Sequence, residues 1–163
     1  MTKVPIILRP AILADSDALA SMWHAGWVVG HTDIVPPALI KFRDLASFHT
    51  RIVRDLGSFF VAEQEGATVG FIRIVGNELD QFYVAPAMIG KGIATPLMQA
   101  AEDMLKSRGV SEAFLVASVG NDRAVRFYEK LGWTNRGIHQ ADVTAGEGTF
   151  SLDVIRFEKA LIS

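Results

Sequence analysis

The chain has no cysteine, which excludes disulfide frameworks, thiolate nucleophiles and thiolate metal sites. It also lacks an excess of either charge. Its 16 lysines and arginines against 18 acidic residues leave a formal net charge of −2, far from the basic footprint of a nucleic-acid binder. No apolar run is long enough to cross a membrane. Residues 4–8 are apolar but too short for a signal-peptide core, and Pro5 interrupts them. The histidines His24, His31, His49 and His139 have no spacing that places two on one helix face, so no metal is expected. These absences leave a cytoplasmic protein without nucleic-acid, membrane or metal partners as the expectation. With 163 residues, half of them hydrophobic, and no repeat, linker or low-complexity tract, the chain reads as one domain over 1–163 with enough apolar surface for a core.

What is present is concentrated in Val84-Ala85-Pro86-Ala87-Met88-Ile89-Gly90-Lys91-Gly92-Ile93-Ala94-Thr95. An extended segment, 78–84, precedes it and an amphipathic helix follows. Such a junction leaves unpaired backbone N–H groups converging beside the positive end of a helix dipole, a seat for phosphate oxygens. Gly90 and Gly92 could be ordinary turn residues; their place between strand and helix favours the phosphate reading. Lys91 either adds a charge-assisted contact there or is solvated.

The rest of the chain supplies a mixed sheet. Residues 6–8 read as a short strand. Asp15, with Asp17 behind it, is placed to cap a helix whose inner stripe is Leu19, Met22, Trp23 and Trp27. After Pro36-Pro37, one helical stretch runs through Leu39, Phe42, Leu45 and Phe48 to about Leu56. Strands at 58–63, 68–75 and 78–84 are separated by the turns Gln64-Glu65-Gly66 and Gly76-Asn77. Ile93, Leu97, Met98, Ala101, Met104 and Leu105 share one helix face, and Gly109 follows as its stop. A buried strand spans 113–117, Asn121 caps a second helix ending at Gly132, and strands at 133–137 and 150–157 flank a polar loop. These elements predict an α/β (α+β) fold, a mixed and mostly antiparallel central sheet of about 6–7 strands with about 4 helices on its faces. The helical crossover makes 113–117 parallel to 78–84. Ligands in such sheets favour the place where neighbouring strands diverge at their carboxyl ends.

Two separated segments then resemble the GNAT family of N-acetyltransferases. Val84-x-Pro86 with Gly90-Lys91-Gly92-Ile93-Ala94 is similar to the family's pyrophosphate loop, Gln/Arg-x-x-Gly-x-Gly/Ala. Asn121-x-x-Ala124-x-x-Phe127-Tyr128 closely resembles its Asn-x-x-Ala-x-x-Phe-Tyr signature. The order of elements matches the family fold across nearly the whole chain. Two departures stand out: Ile89 occupies the first loop position, so any side-chain contact there is lost, and Pro96 lies near the helix start.

The resemblance implies acetyl-coenzyme A as co-substrate and an amine as acceptor, a small polar molecule or a peptide, with a homodimer possible. It implies that Ile89 to Thr95 hold the pyrophosphate through backbone N–H groups and the Thr95 hydroxyl. It implies that the backbone of Phe82, Tyr83 and Val84 pairs with the pantetheine arm like an added strand, and that one N–H polarises the thioester. Asn121 is an N-cap whose side chain also touches the arm, with Phe127 beside it in the signature. Tyr128 is either a core aromatic or the group that supports the departing thiolate. Glu78 is the implied general base, directly or through water; Asp80 on the same face competes, and a solvated carboxylate is the plain alternative. His31, with Trp27 and Asp33, falls where the family shapes its acceptor pocket, and Arg73 faces that pocket or a salt bridge. The rival readings are a non-catalytic acyl-coenzyme A sensor, a peptide or protein N-acetyltransferase and, weakly, a nucleotide-binding module.

Overall fold

The computed structural model describes residues 4–146 and 148–162. In chain order the elements are β1 (Ile7–Pro10), α1 (Ser16–His31), α2 (Pro37–Ile40), α3 (Leu45–Arg54), β2 (Phe59–Gln64), β3 (Ala67–Val75), β4 (Glu78–Val84), α4 (Ala94–Ser107), β5 (Glu112–Ser118), α5 (Asp122–Lys130), β6 (Thr134–Ala145) and β7 (Gly148–Ala160). The strands form one sheet in the order β1-β2-β3-β4-β5-β7-β6. Every neighbouring pair is antiparallel except β4 and β5. The β2–β3 turn works because Glu65 (φ 52°) and Gly66 (φ 79°) both take the left-handed conformation that a tight hairpin needs.

Helices cover both faces. On one face the apolar stripe of α4 (Leu97, Met98, Ala101, Leu105) meets Ile72 and Phe157 of the sheet. Each of these large side chains contributes roughly 1.5–3 kcal/mol by leaving water. Pro96 is the third residue of α4, where a missing N–H breaks no helical hydrogen bond. Glu102, 6% exposed, meets Lys159 at 2.9 Å, and that ammonium also donates to the Leu131 carbonyl. The contact joins α4, β7 and the end of α5. On the other face α1 and α3 bury Leu19, Trp23, Phe48 and Ile52 against Phe59 and Phe71.

The site is positioned by a defect in this sheet. β4 and β5 share a single register pair, Glu78 with Phe114, and then diverge. β4 also carries a bulge: Ile74 pairs with Leu79 and Arg73 with Gln81, leaving Asp80 unpaired between them. The bulge breaks the two-residue alternation, so Leu79 and Phe82 both join the α4 side of the sheet.

Three local expectations are corrected. Asp15 does not cap α1; its carboxylate takes a two-pronged hydrogen bond from Arg9 and another from the Ile12 amide. The stretch from Leu39 to Leu56 is two helices, because Asp44 is extended and accepts from the Ser47 amide at 2.9 Å, starting α3 afresh. Phe42 and Leu45, through which one continuous helix was expected to run, are exposed at the break, and the described residues form five α-helices. The polar segment after Gly137 is not a loop: β6 continues to Ala145 and pairs with β7 down to Ala145–Gly148. Its polar composition reflects an edge strand whose side chains are largely exposed.

Candidate active site

A cavity of about 380 Å³ fills the gap between the diverging strands. Its walls come from both faces of the sheet. Residues Leu79 to Tyr83 of β4 form one wall and Val116, Ala117 and Ser118 of β5 the other. Asn121 and Tyr128 reach it from α5, while Trp23, Trp27 and His31 come from α1. Arg43, between α2 and α3, and Arg51 of α3 close the far end with Ala141, Val143 and Leu152 of the last hairpin.

A single turn at Pro86–Met88 leads from β4 into the glycine loop, which runs on into α4. Gly90 (φ 83°) and Gly92 (φ 78°) are left-handed, as expected of glycines that turn the backbone sharply. The amides of Ile89 and Lys91 are spent inside the loop, on the Pro86 carbonyl at 3.3 Å and the Met88 carbonyl at 3.2 Å. The Ile89 amide is therefore not available to a phosphate as the sequence reading supposed. The amides of Gly90, Gly92, Ile93, Ala94 and Thr95 donate to no protein acceptor among the described residues, and no side chain caps α4. Ile93 is buried in the core, so it offers only its backbone. Lys91 and Thr95 are exposed. Converging unmet amides at a helix start suit a phosphate group.

Tyr128 is half-buried against Phe157 and Phe127. Burial pushes its phenol up to about 12, and among the described residues the hydroxyl has no partner while the residue lines the cavity. A purely structural tyrosine would ordinarily tie that hydroxyl down. Phe127 meets the Phe82 ring at a tilt, packs against the core cluster and lies off the cavity wall. Val84 likewise packs into the core. Asn121 accepts from the Ala124 amide at 3.4 Å and also faces the cavity. Tyr83 lies flat on Phe71 and is pushed upward by burial.

The acid–base groups divide. Glu78 is half-buried where β4 still pairs with β5, outside the cavity lining; burial, then the charge of Asp80, raises its carboxyl above the ordinary value. Asp80 lines the cavity, but Arg73 holds it at 2.9 Å. Arg73 also meets Asp55 at 3.2 Å and donates to Ser58, and it lines the cavity as well, so it both faces the pocket and forms the salt bridge. His31 lines the cavity stacked on Trp27, with Nδ1 3.0 Å from the Trp27 carbonyl. A carbonyl only accepts, so Nδ1 carries the proton and Nε2 keeps its lone pair. Burial holds His31 below its usual value, with the charge of Arg43 adding to the effect, so the ring is neutral at pH 7.

Residues 19–133 match the model of the acetyltransferase (GNAT) family. The chain belongs to that family. It is 32% identical over 96 residues to an uncharacterized N-acetyltransferase of Methanocaldococcus jannaschii, covering 52% of this chain and 42% of that one. The chain thus spans under half the length of that relative. Among solved structures, a GCN5-related N-acetyltransferase from Rhodopseudomonas palustris superposes with a TM-score of 0.71 at 23% identity, covering 98% of each chain. A spermidine N-acetyltransferase from Vibrio cholerae, in complex with CoA and spermine, superposes with a TM-score of 0.69 at 18% identity over 96% of this chain and 95% of that one. These two share the fold.

Several residues on the wall carry no sequence motif. Gly26 and Gly30 sit inside α1, where each glycine costs about 1 kcal/mol relative to alanine. A side chain at Gly26 would run into the Tyr83 ring, and one at Gly30 would press on the Asn121 amide at 3.3 Å. Two glycines four apart on one helix face were the available signal. Arg43 and Arg51 were missed as well. An arginine three residues after the buried Phe48 was the clue to Arg51; nothing in the sequence marks Arg43.

Proposed function

We propose that residues 1–163 act as one acetyl-coenzyme A-dependent N-acetyltransferase domain, moving an acetyl group to a primary amine by direct attack in a ternary complex. The reading is carried by the parting of β4 from β5, which opens a cavity walled by Tyr128 at the end of the sheet where unmet loop amides begin. The amides of Gly90, Gly92, Ile93, Ala94 and Thr95 hold the coenzyme's pyrophosphate, with Lys91 and the Thr95 hydroxyl beside them. Asn121 and the free main-chain edge of Phe82 and Tyr83 line the pantetheine arm. Acetyl-coenzyme A supplies the activated thioester.

The acceptor nitrogen forms its bond to the acetyl carbon as the carbon–sulfur bond breaks, and it loses a proton. Most alkyl amines are protonated at pH 7, so an acceptor for protons is needed before attack. His31 takes one directly through its bare Nε2, and Glu78 takes one through water; Asp80 is occupied by Arg73. The Tyr128 hydroxyl donates to the leaving sulfur, in a hydrogen bond that strengthens as charge gathers there. No acetyl-enzyme forms through cysteine, because the chain has none.

Calorimetry with acetyl-coenzyme A, followed by acetylation of an amine panel read by mass spectrometry, tests this. Binding plus acceptor-dependent acetylation is expected. Tight binding with turnover that ignores every amine indicates a sensor, and no heat at millimolar coenzyme ends the reading altogether.

A further inference from the structure

Arg43 and Arg51 stand in the wall of the cavity with no ion-pair partner among the described residues; Asp80 is near enough to Arg51 to oppose its downward shift, but it meets Arg73 and not Arg51. Arg43 is 7% exposed, and neither guanidinium has a hydrogen bond or ion pair with any described residue. Arg51 lies over the Trp23 ring at 4.3 Å and near Phe48 at 5.5 Å, so its plane is set by aromatic contacts rather than by a carboxylate. Burial lowers both groups, and Arg51 is pulled down to about 10, with Arg43's like charge contributing. Arg73 is the control within the same cavity. It meets Asp80, Asp55 and Ser58 and is satisfied.

Unpaired buried charge is costly and is normally compensated. A pair of guanidiniums converging on one cavity presents forked donors matched to the oxygens of a carboxylate or phosphonate. The one acidic side chain among the described lining residues, Asp80, already serves Arg73. A polycation therefore finds two like charges and no free anion. We propose that the acceptor is an anionic primary amine, an amino carboxylate or aminophosphonate, whose oxyanion is held between Arg43 and Arg51. The proposal rests on the transferase reading, with the acetyl group moving to the amine of that molecule. The fold likeness to a spermidine enzyme then does not extend to the acceptor.

The test compares matched acceptors on the wild-type protein: phenylalanine with phenethylamine, and aminoethylphosphonate with ethylamine, plus spermidine. The anionic member of at least one pair should have the higher kcat/KM by about 10-fold or more, as expected of charge-assisted hydrogen bonds. Which pair shows it tells carboxylate from phosphonate. Arg51→Met, close in length and able to remain over Trp23, should raise KM for the preferred acceptor roughly 10- to 100-fold. It should also collapse the preference within the pair and leave KM for acetyl-coenzyme A within about twofold. Arg51→Lys should lose less, and Arg43→Met should repeat the pattern should Arg51→Met fail to fold. A preference for spermidine or the uncharged partner, with coenzyme bound and acetyl transferred, overturns the anionic acceptor and leaves the transferase standing. A raised KM for acetyl-coenzyme A in Arg51→Met assigns the arginines to the coenzyme and also overturns it. Absence of coenzyme binding by calorimetry removes both readings together.

Discussion

The glycine loop, whose residues lie outside the cavity lining, and the cavity wall form two ends of the proposed site that are built from different material. Toward α4 the proposed coenzyme end consists mainly of backbone: five unmet amides and two left-handed glycines on an exposed loop. Toward α1 and α3 the proposed acceptor end consists of side chains, with two unpaired arginines, a neutral histidine and aromatic walls gathered from separate elements. A backbone site serves a constant part of a ligand, because main-chain donors are the same whatever residues carry them. A side-chain site can change its preference by substitution without altering the fold. The contrast teaches why a family match over residues 19–133 supports the proposed coenzyme reading further than the acceptor reading.

The sharpest probe lies where the ends meet. Tyr128→Phe removes one oxygen and keeps the ring between Phe127 and Phe157. The expected outcome is a fall in kcat of roughly 10- to 1,000-fold with little change in either KM, since the hydrogen bond counts only as sulfur leaves. Steady-state kinetics with the acceptor saturating measures this. With the phenol pushed up to about 12, wild-type activity should show no alkaline decline from Tyr128 below about pH 10. A decline in kcat near pH 8 that disappears in Tyr128→Phe means the phenol titrates well below that, and the proposed role fails.

The acceptor end is next. His31 lies below its ordinary value and Glu78 above its own, so either, acting as base, makes activity rise with pH across the weakly acidic range. Direction alone does not separate them; substitution does. His31→Asn should cut kcat/KM roughly 10- to 100-fold and flatten the acid limb, with Glu78→Gln keeping that limb. The reverse pattern moves the base to the water-linked carboxylate. Equal, partial effects in both would mean that the two ends share a proton path, and the division drawn above would soften.

How much of this was legible follows from the same contrast. Gly90, Gly92 and the Asn121–Tyr128 segment could be read because the backbone there demands particular residues at particular spacing. The parallel pairing of β4 with β5 was implied by the helical crossover, and their parting only by the family resemblance; the cavity lies toward the carboxyl end of β4, where such sheets favour ligands. Arg43 and Arg51 could not be read as a pair, since a break in the helical stretch brings Arg43 to the cavity and Asp44 makes that break. Glu78 and Asp80 were placed on one face by simple alternation, and the bulge at Asp80 invalidates that count. A bulge leaves no mark in composition. Both strands of the last hairpin were legible, but their continuation through the polar segment after Gly137 was not, for a related reason: an edge strand need not alternate strongly when neither face is well covered.

Gly92→Val tests whether the loop works by conformation. An added Cβ there meets nothing within 4 Å, so no clash is introduced, and only the φ of 78° opposes a branched residue. Relieving strain of about 1–3 kcal/mol re-routes the loop, which should weaken acetyl-coenzyme A by several-fold to about 100-fold in calorimetry. Acceptor preference and thermal stability should hardly move. A changed acceptor preference would show that the backbone end also shapes the side-chain end.

The smallest expected effect is the most discriminating about the loop itself. Ile89 is 52% exposed at the position where the family motif has glutamine or arginine, and its amide is committed to Pro86. On the proposed reading, the wild-type loop therefore lacks both contacts at that position and relies on the amides of Gly90, Gly92, Ile93, Ala94 and Thr95. Ile89→Arg adds a guanidinium on an exposed loop, where solvent and salt screen it to about 0.2–1 kcal/mol. The expected gain is up to about fivefold in acetyl-coenzyme A affinity, shrinking as salt is raised from 50 to 500 mM, with kcat unchanged. A tighter, salt-dependent coenzyme complex places the phosphates beside residue 89. An unchanged affinity at low salt would mean that they lie out of reach of that side chain, deeper along the start of α4, where the amides of Ile93, Ala94 and Thr95 would have to hold them alone.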